Sequence, residues 1–420
     1  MTSFNRLATA NTYDNALRNI TQRQSALSGL QENLTSGKRV VRASDDPSSA
    51  AQAERALTRM SRIVTDQRAL ASQTDAIAIA ESTLGDVTNA LQSFRELVVS
   101  AGNGTFTQKD RQTVALQLEG LRDQIFTLSN QKDTNGQPLF SALGSALAPF
   151  LGPAATAPDY KFNGLPGQPA SQEVAIPFTL DGDSAFMLQV ARDGAYNITM
   201  GGPSAIGITP LSINVTLTTL PTPTPVDASP FKISSTSVAA GSTLGKSTAA
   251  YALETTTSGP PPVTTTASYT VTDYPTGALE IPIPGRIVTI TGTPAAGDTA
   301  TLNPSVSIFS VMDQAIRTIG TATTNLAASQ AVSQTLGNID IGANRISAVR
   351  GQAGELLNRA DRISANQDKR SIQLEADRSR AEDLDMVKGI ADFQNQQTGY
   401  QAALQSYAQM QKLSLFNYIG

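Results

Sequence analysis

The 420-residue sequence contains no cysteine, no histidine and no tryptophan. Without Cys there are no disulfides, thiol nucleophiles or thiolate metal sites. Without His there are no His-dependent triads and no imidazole ligands. Aromatic residues are only 5% of the chain although hydrophobic residues are 40%. Such a composition buries Ala, Leu, Ile and Val in narrow helical seams more easily than it builds an aromatic-rich pocket. Charge of neither sign dominates: 31 basic and 35 acidic residues leave a net charge of −4, so there is no electrostatic case for nucleic acid or an anionic membrane surface. No uninterrupted apolar run reaches about 18 residues, so no membrane span is expected. The first residues, MTSFNRLATANTYDN, lack a charged stretch followed by an apolar one. A cleavable secretory signal is therefore not expected, and any exit from the cell needs another route.

What is present falls into three blocks. From about residue 4 to 140 the pattern is helical. Leu17, Ile20, Leu27 and Leu34 lie on a 3-4 spaced series with Tyr13, Gln24 and Gln31, the narrow seam of a coiled coil. Ala53, Leu57, Met60 and Val64 restart it. Leu70, Gln73, Ile77, Ala80, Leu84, Val87, Leu91, Phe94 and Val98 continue it, so that Pro47–Val99 reads as one helix. Ala101–Gly104 stops that helix. Thr107 with Asp110 resembles a capping box for a third helix carrying Val114, Leu118, Leu121, Ile125 and Leu128, and Asn135–Gly136 signals a turn. From about 141 to 305 Thr, Ser, Pro and Gly dominate. Alternating runs at 213–220, 268–274 and 286–292 read as strands, FMLQVAR and AYNITM around Asp193–Gly194 read as a hairpin, and 219–227 and 258–266 read as loops. From about 306 helix returns, with Leu336, Ile339, Ala343, Ile346, Ala353 and Leu357 in register, then Ile363 and Leu374. A last helix carries Met386, Ile390, Phe393, Tyr400, Leu404 and Tyr407. The expected fold is α+β: a long antiparallel, coiled-coil-like helical bundle formed by the two end segments, with an inserted all-β outer domain.

The segment SGKRVVRASDDP, residues 36–47, interrupts the first helical pattern. Gly37 can adopt the left-handed conformation that ends a helix, and Lys38, Arg39 and Arg42 follow where positive charge is favourable. Asp46 is placed to cap the next helix, with Pro47 in its first turn and Asp45 beside the positive end of its dipole. The same residues carry a resemblance. SGKRV followed by SDDP (Ser36, Gly37, Arg39, Asp45, Asp46, Pro47) resembles the N-terminal signature of the bacterial flagellin superfamily. VRGQAGELLNRAD places Arg350, Gly354, Asn358 and Arg359 at the spacing of that family's C-terminal helix pattern. SRAEDLD at 379–385 resembles the acidic step before its last helix. The resemblance covers roughly 4–140 and 306–420, and the β block has no recognisable counterpart. Within the family, the YQAALQ step (Tyr400–Gln405) and the close at Ser414, Leu415 and Phe416 resemble hook–filament junction members more than filament flagellins.

The resemblance implies a self-assembling structural subunit of the flagellum, outside the cell, exported unfolded by the flagellar type III apparatus. Its implied partners are filament flagellin, a second hook-associated junction protein, further copies of itself in a ring, and an export chaperone. It implies neither nucleic acid nor membrane as a partner, and no cofactor. The implied layers are 1–46 with 381–420 as a terminal inner coiled coil, 47–140 with 306–380 as a helical bundle, and 141–305 as an outer β-rich domain. Inter-subunit packing is then expected at Leu17, Ile20, Leu27, Leu34, Ile390, Phe393, Tyr400, Leu404 and Tyr407. Alternatives are a filament flagellin, or an unrelated tubular or fibre subunit with an adhesive β domain. An enzyme is not expected. Asp45–Asp46 and Glu382–Asp383–Asp385 could bind a divalent cation, but helix capping explains them and no base, nucleophile or phosphate loop accompanies them. Asn197-Ile-Thr199 and Asn214-Val-Thr216 match glycosylation sequons of the kind that arise by chance at this length.

Overall fold

A computed structural model describes residues 3–155, 159–193, 195–202, 213–217, 230–256, 263–275, 277–283, 286–292 and 295–419. The helices are α1 (Ser3–Ser36), α2 (Pro47–Ala101), α3 (Gln108–Ser129), the short α4 (Gly182–Phe186) and α5 (Val190–Asp193), α6 (Ile308–Thr321), α7 (Asn325–Glu382) and α8 (Met386–Ile419). The strands are β1 (Phe150–Leu151), β2 (Lys161–Phe162), β3 (Tyr196–Gly201), β4 (Ile213–Leu217), β5 (Phe231–Ala240), β6 (Lys246–Thr256), β7 (Thr264–Pro275), β8 (Gly277–Ile283), β9 (Arg286–Gly292) and β10 (Thr299–Pro304). The chain divides into two compact units, residues 1–69 with 363–420, and residues 70–362. The division falls inside α2 and inside α7.

In the first unit α1 and α8 run antiparallel. Tyr13 meets Tyr407 near one end, and Leu34 lies against Gly389 near the other. The start of α2 meets the end of α7 through Ala56, Met60, Ile63 and Leu374, and Gln67 donates to Asp368 at 2.7 Å. These are small patches of burial, as narrow seams of Ala and Leu dictate.

In the second unit the α2 seam is covered along its whole length. Leu70, Gln73, Ile77, Ala80, Leu84, Val87, Leu91, Phe94 and Val98 are all buried. Ion pairs Glu81–Arg350 at 2.7 Å and Arg95–Asp340 at 3.1 Å fix α2 antiparallel to α7. Gln73, the polar member of the seam, accepts from the Ile176 backbone at 3.1 Å, which satisfies a buried N–H that would otherwise cost about 1–3 kcal/mol. On α7 the buried face in this unit is Ile339, Gly342, Ile346, Val349, Ala353, Leu356 and Ala360. This corrects the expected seam by one residue at alternate positions, where Ala343 and Leu357 had been placed. Gly342 shows the reason. A Cβ there would lie 2.3 Å from the Ile308 side chain, so α6 approaches α7 closely enough that any larger residue would have to displace Ile308. A capping box at Thr107 and Asp110 starts α3, which packs on α6.

Several of the sparse aromatic residues are nonetheless concentrated in one core. Phe126, Phe150, Tyr160, Phe186 and Phe309 form a chain of ring contacts with centroids 5.2–5.9 Å apart. Phe140 and Phe162 join at its edge. A low average content says nothing about how residues are concentrated. Arg122 donates to Asp313 at 2.7 Å and to the Tyr160 hydroxyl at 2.6 Å, tying α3 to α6 over this cluster. Burial pushes the Tyr160 phenol out of the ordinary tyrosine range, and its hydrogen bond to Asp313 adds to the shift.

The β domain holds a five-stranded antiparallel sheet, β3-β10-β5-β6-β7, and a three-stranded one, β4-β9-β8. Their shared core includes Tyr196, Phe231, Ile233, Tyr251, Leu253, Leu279, Ile281, Val288, Ile290 and Leu302. The runs at 213–217, 268–274 and 286–292 are strands, as expected, while 218–220, the 219–227 loop and Gly194 lie outside the described residues. The hairpin at Asp193–Gly194 does not form. Residues 190–193 are helical, the Asp193 carboxylate accepts from the Gln189 backbone at 2.9 Å, and β3 pairs with β10 instead. Within α5 the Arg192 side chain also donates to the Asp193 carboxylate, at 3.1 Å. Thr264–Thr266, placed in a loop, belong to β7 and pair with β6.

Candidate assembly site

The break between α1 and α2 is a clasp closed by residues from the far end of the chain. Gly37, at φ +68°, turns the chain off α1. Its carbonyl accepts from the Leu384 backbone at 2.9 Å, and the Arg39 backbone donates to the Glu382 carbonyl at 2.8 Å. The Lys38 ammonium pairs with the Glu382 carboxylate. Arg39 reaches three ways, to the Ala381 carbonyl at 2.8 Å, to Ser49 at 3.0 Å and to Asp46 at 3.2 Å. Arg42 pairs back to Glu32 at 2.7 Å. The acidic residues split their work. Asp46 accepts from the Ser48 and Ser49 backbones and caps α2. Asp45 instead accepts from Val41 and Arg42 and holds the loop itself. Asp385 caps α8 through Val387 and Lys388. Hydrogen bonds from Ser49, then Ser48 and Arg39, hold the Asp46 carboxyl well below the usual carboxylate range.

Thus Ser36, Gly37, Arg39, Asp45, Asp46 and Pro47 are brought together in the first unit, against the SRAEDLD step. Reading the sequence missed the cross-chain partners Ala381, Glu382 and Leu384. The signal was a basic triplet at 38–42 opposite an acidic one at 382–385. Each carboxylate that could have suggested a cation site is engaged: Asp45, Asp46 and Asp385 on backbone N–H groups, Glu382 on Lys38 and Arg378, and Asp383 on Ser379. Among the described residues no group of three acidic side chains is arranged to hold a metal, and no helix is long and apolar enough to cross a membrane.

The second motif lies in the second unit and does not form a cluster. Arg350 donates to Glu81, and Arg359 donates to the Gln172 carbonyl at 3.2 Å. Asn358 is exposed, and a Cβ on Gly354 would meet nothing within 4 Å.

The terminal seams are only partly covered. Leu17 is 42% exposed, Ile390 46% and Leu404 40%, while Ile20, Leu27, Leu34, Phe393, Tyr400 and Tyr407 are half-buried. Tyr407 has a partner in its own chain, the ring of Tyr13 at 5.3 Å. Two single helices laid side by side cover one edge of each apolar stripe and leave the rest in water.

The family model for the bacterial flagellin N-terminal helical region matches residues 7–144, and that for the C-terminal helical region matches 336–419. Together they account for 222 of the 420 residues. The flagellar hook-associated protein 3 of Salmonella typhimurium is 37% identical over 147 residues, which are 34% of this chain and 46% of that protein. The chain therefore aligns with about half the length of this curated relative. A flagellin of Escherichia coli is 33% identical over 130 residues, 30% of this chain and 26% of that one. The crystal structure of flagellar hook-associated protein 3 from Legionella pneumophila superposes with a TM-score of 0.55 at 23% identity, covering 77% of this chain and 97% of that one. That of FlgL from Xanthomonas campestris gives 0.53 at 19%, covering 77% and 98%. At these identities the superpositions establish a common fold.

Proposed function

This chain belongs to the bacterial flagellin family, and from that premise we propose that it is a non-enzymatic structural subunit of the flagellum, seated between hook and filament. The observation that carries the proposal is the half-covered seam of α1 and α8. Fully burying a leucine contributes roughly 1.5–3 kcal/mol, so covering the exposed half of Leu17, Ile390 or Leu404 contributes about 1 kcal/mol each. Repeated around a ring, that favours association over the isolated chain. Gln24, Gln31 and Gln397 on the same helices weaken a self-contained core and fix register in a packed one.

On this reading the terminal helices, 1–46 with 381–420, form the inner layer of a tube. The helical segments 47–140 and 306–380 form the next, and 141–305 faces outward. Leu17, Ile20, Leu27, Leu34, Ile390, Phe393, Tyr400, Leu404 and Tyr407 pack between subunits. The clasp at Ser36, Gly37, Arg39, Asp45, Asp46 and Pro47 holds the inner pair in place. Arg350, Gly354, Asn358 and Arg359 lie on the neighbouring layer. The partners are like copies in the ring, filament flagellin on one side and a second hook-associated protein on the other. An export chaperone escorts the unfolded chain, which leaves the cell through the flagellar export apparatus.

The rival reading is a filament flagellin, favoured by the match to the E. coli flagellin. A filament subunit offers the same surface above and below so that addition repeats without limit, whereas a junction subunit meets different partners at its two ends. Purified protein under salting-out conditions is therefore expected to stop at rings or short oligomers. Cells lacking the chain are expected to keep their hooks and release flagellin unpolymerised. Long homopolymers, or thousands of copies per filament by quantitative mass spectrometry, would transfer the assignment to the filament.

A further inference from the structure

The side chains most easily oxidised elsewhere are missing here: the sequence has no Cys, Trp or His, but nine Tyr and seven Met. One-electron oxidation must therefore fall chiefly on tyrosine. Two close tyrosine pairs occur among the described residues. Tyr251 and Tyr269 stack at 5.5 Å with an 18° interplanar angle, and Tyr251 is buried. Tyr13 and Tyr407 lie at 5.3 Å with a 44° angle, both reach water, and the Tyr407 hydroxyl donates to the Tyr13 hydroxyl. This second arrangement is the one suited to coupling. The ortho carbons flank the hydroxyl, so a hydroxyl-to-hydroxyl hydrogen bond brings the ortho edges of the two rings together, whereas stacked rings present faces.

We propose that Tyr13 and Tyr407 are an oxidative cross-linking site, at which a haem peroxidase with hydrogen peroxide joins α1 to α8 through a carbon–carbon bond. Each phenol loses one electron and one proton. The two tyrosyl radicals combine at their ortho carbons. The hydrogen on each of those carbons then returns to its phenolic oxygen as a proton, restoring aromaticity. The two electrons and two protons removed reduce one peroxide to two waters. The product joins residues 394 apart in sequence, in a chain that cannot form a disulfide. Gln411 donates to the Tyr407 hydroxyl at 3.4 Å from the next turn of α8 and helps hold that ring in place. The hydrogen bond to Tyr13 also raises the Tyr407 phenol above its ordinary value, so the phenol is neutral at physiological pH.

The test uses the full-length chain at low protein concentration, treated with peroxidase and peroxide and then digested with trypsin. The expected product is peptide Leu7–Arg18 joined to Gly389–Lys412, two hydrogens lighter than their sum, with fragment ions placing the link at Tyr407 and not Tyr400. Tyr13→Phe and Tyr407→Phe keep the ring packing and should each abolish that peptide, with unchanged circular dichroism. Tyr269→Phe should leave it intact. In the linked chain, amide exchange in α1 and α8 should slow by about tenfold or more, because local opening of the pair is restrained. The proposal is overturned if oxidised tyrosine appears without this intrachain peptide, if only chain-to-chain links form, or if the peptide survives Tyr407→Phe.

Discussion

The seam of α2 from Leu70 to Val98 and the seam of α1 with α8 have the same 3-4 spacing and opposite fates. The first is closed to solvent within the chain: Leu84 and Phe94 are fully buried. The second leaves Leu17, Ile390 and Leu404 near half exposure. The α2 seam meets α7 and, through Gln73, the segment at Ile176. The terminal helices have each other and little else among the described residues. Periodicity therefore identifies an apolar face but not its partner, and a face left half covered in the monomer is the feature that asks for another chain.

Substitutions can break this comparison. The largest expected effect is on assembly. Leu404→Asp places a charge in the apolar contact proposed between subunits, so it should abolish incorporation into flagella while circular dichroism of the purified monomer stays unchanged. Normal filaments in cells carrying it would remove the terminal seam as an interface. Next, Phe94→Ala should destabilise the monomer by about 3–5 kcal/mol, measured by denaturant unfolding. Gln73→Ala should cost about 1–3 kcal/mol, because it strands the buried Ile176 N–H. Thr107→Ala removes the α3 cap and should cost about 1 kcal/mol. Leu404→Ala, on the other seam, should cost the monomer only about 1 kcal/mol, because only part of that side chain is covered within the chain. A loss as large as that from Phe94→Ala would erase the distinction between the seams.

The smallest effect concerns pH. The Asp46 carboxyl titrates below its ordinary value of 3.8 in the folded chain because of the hydrogen bonds from Ser49, Ser48 and Arg39. A lowered pKa means that the ionised form is the one the fold favours. Its contribution is therefore present above the ordinary value and is lost as pH falls toward the lowered one. Asp46→Asn should remove that contribution, lowering stability at neutral pH and flattening the acid limb of the profile, so that variant and parent converge as pH falls through that window.

Local physical chemistry made much of this molecule legible from the sequence. The helices of the end segments, the stop at Gly37, the caps at Asp46 and Thr107 and the strands at 213–217, 268–274 and 286–292 all follow from rules reaching only a few residues along the chain. The three motifs that resemble the flagellin family were legible for the same reason. Contacts made at long range were not. The Gly342–Ile308 approach shifts the α7 seam by one residue, and nothing near Gly342 in sequence announces Ile308. Asp193–Gly194 has the chemistry of a hairpin turn, yet β3 found β10, more than a hundred residues on. The rings from Phe126 to Phe309 gather into one core although aromatics are sparse. The clasp needed Arg39 and Glu382 in the same place, which only the folding of both ends can arrange. Helix periodicity and capping are decided by neighbours in sequence, whereas pairing partner and burial are decided by which surfaces compete for the same space.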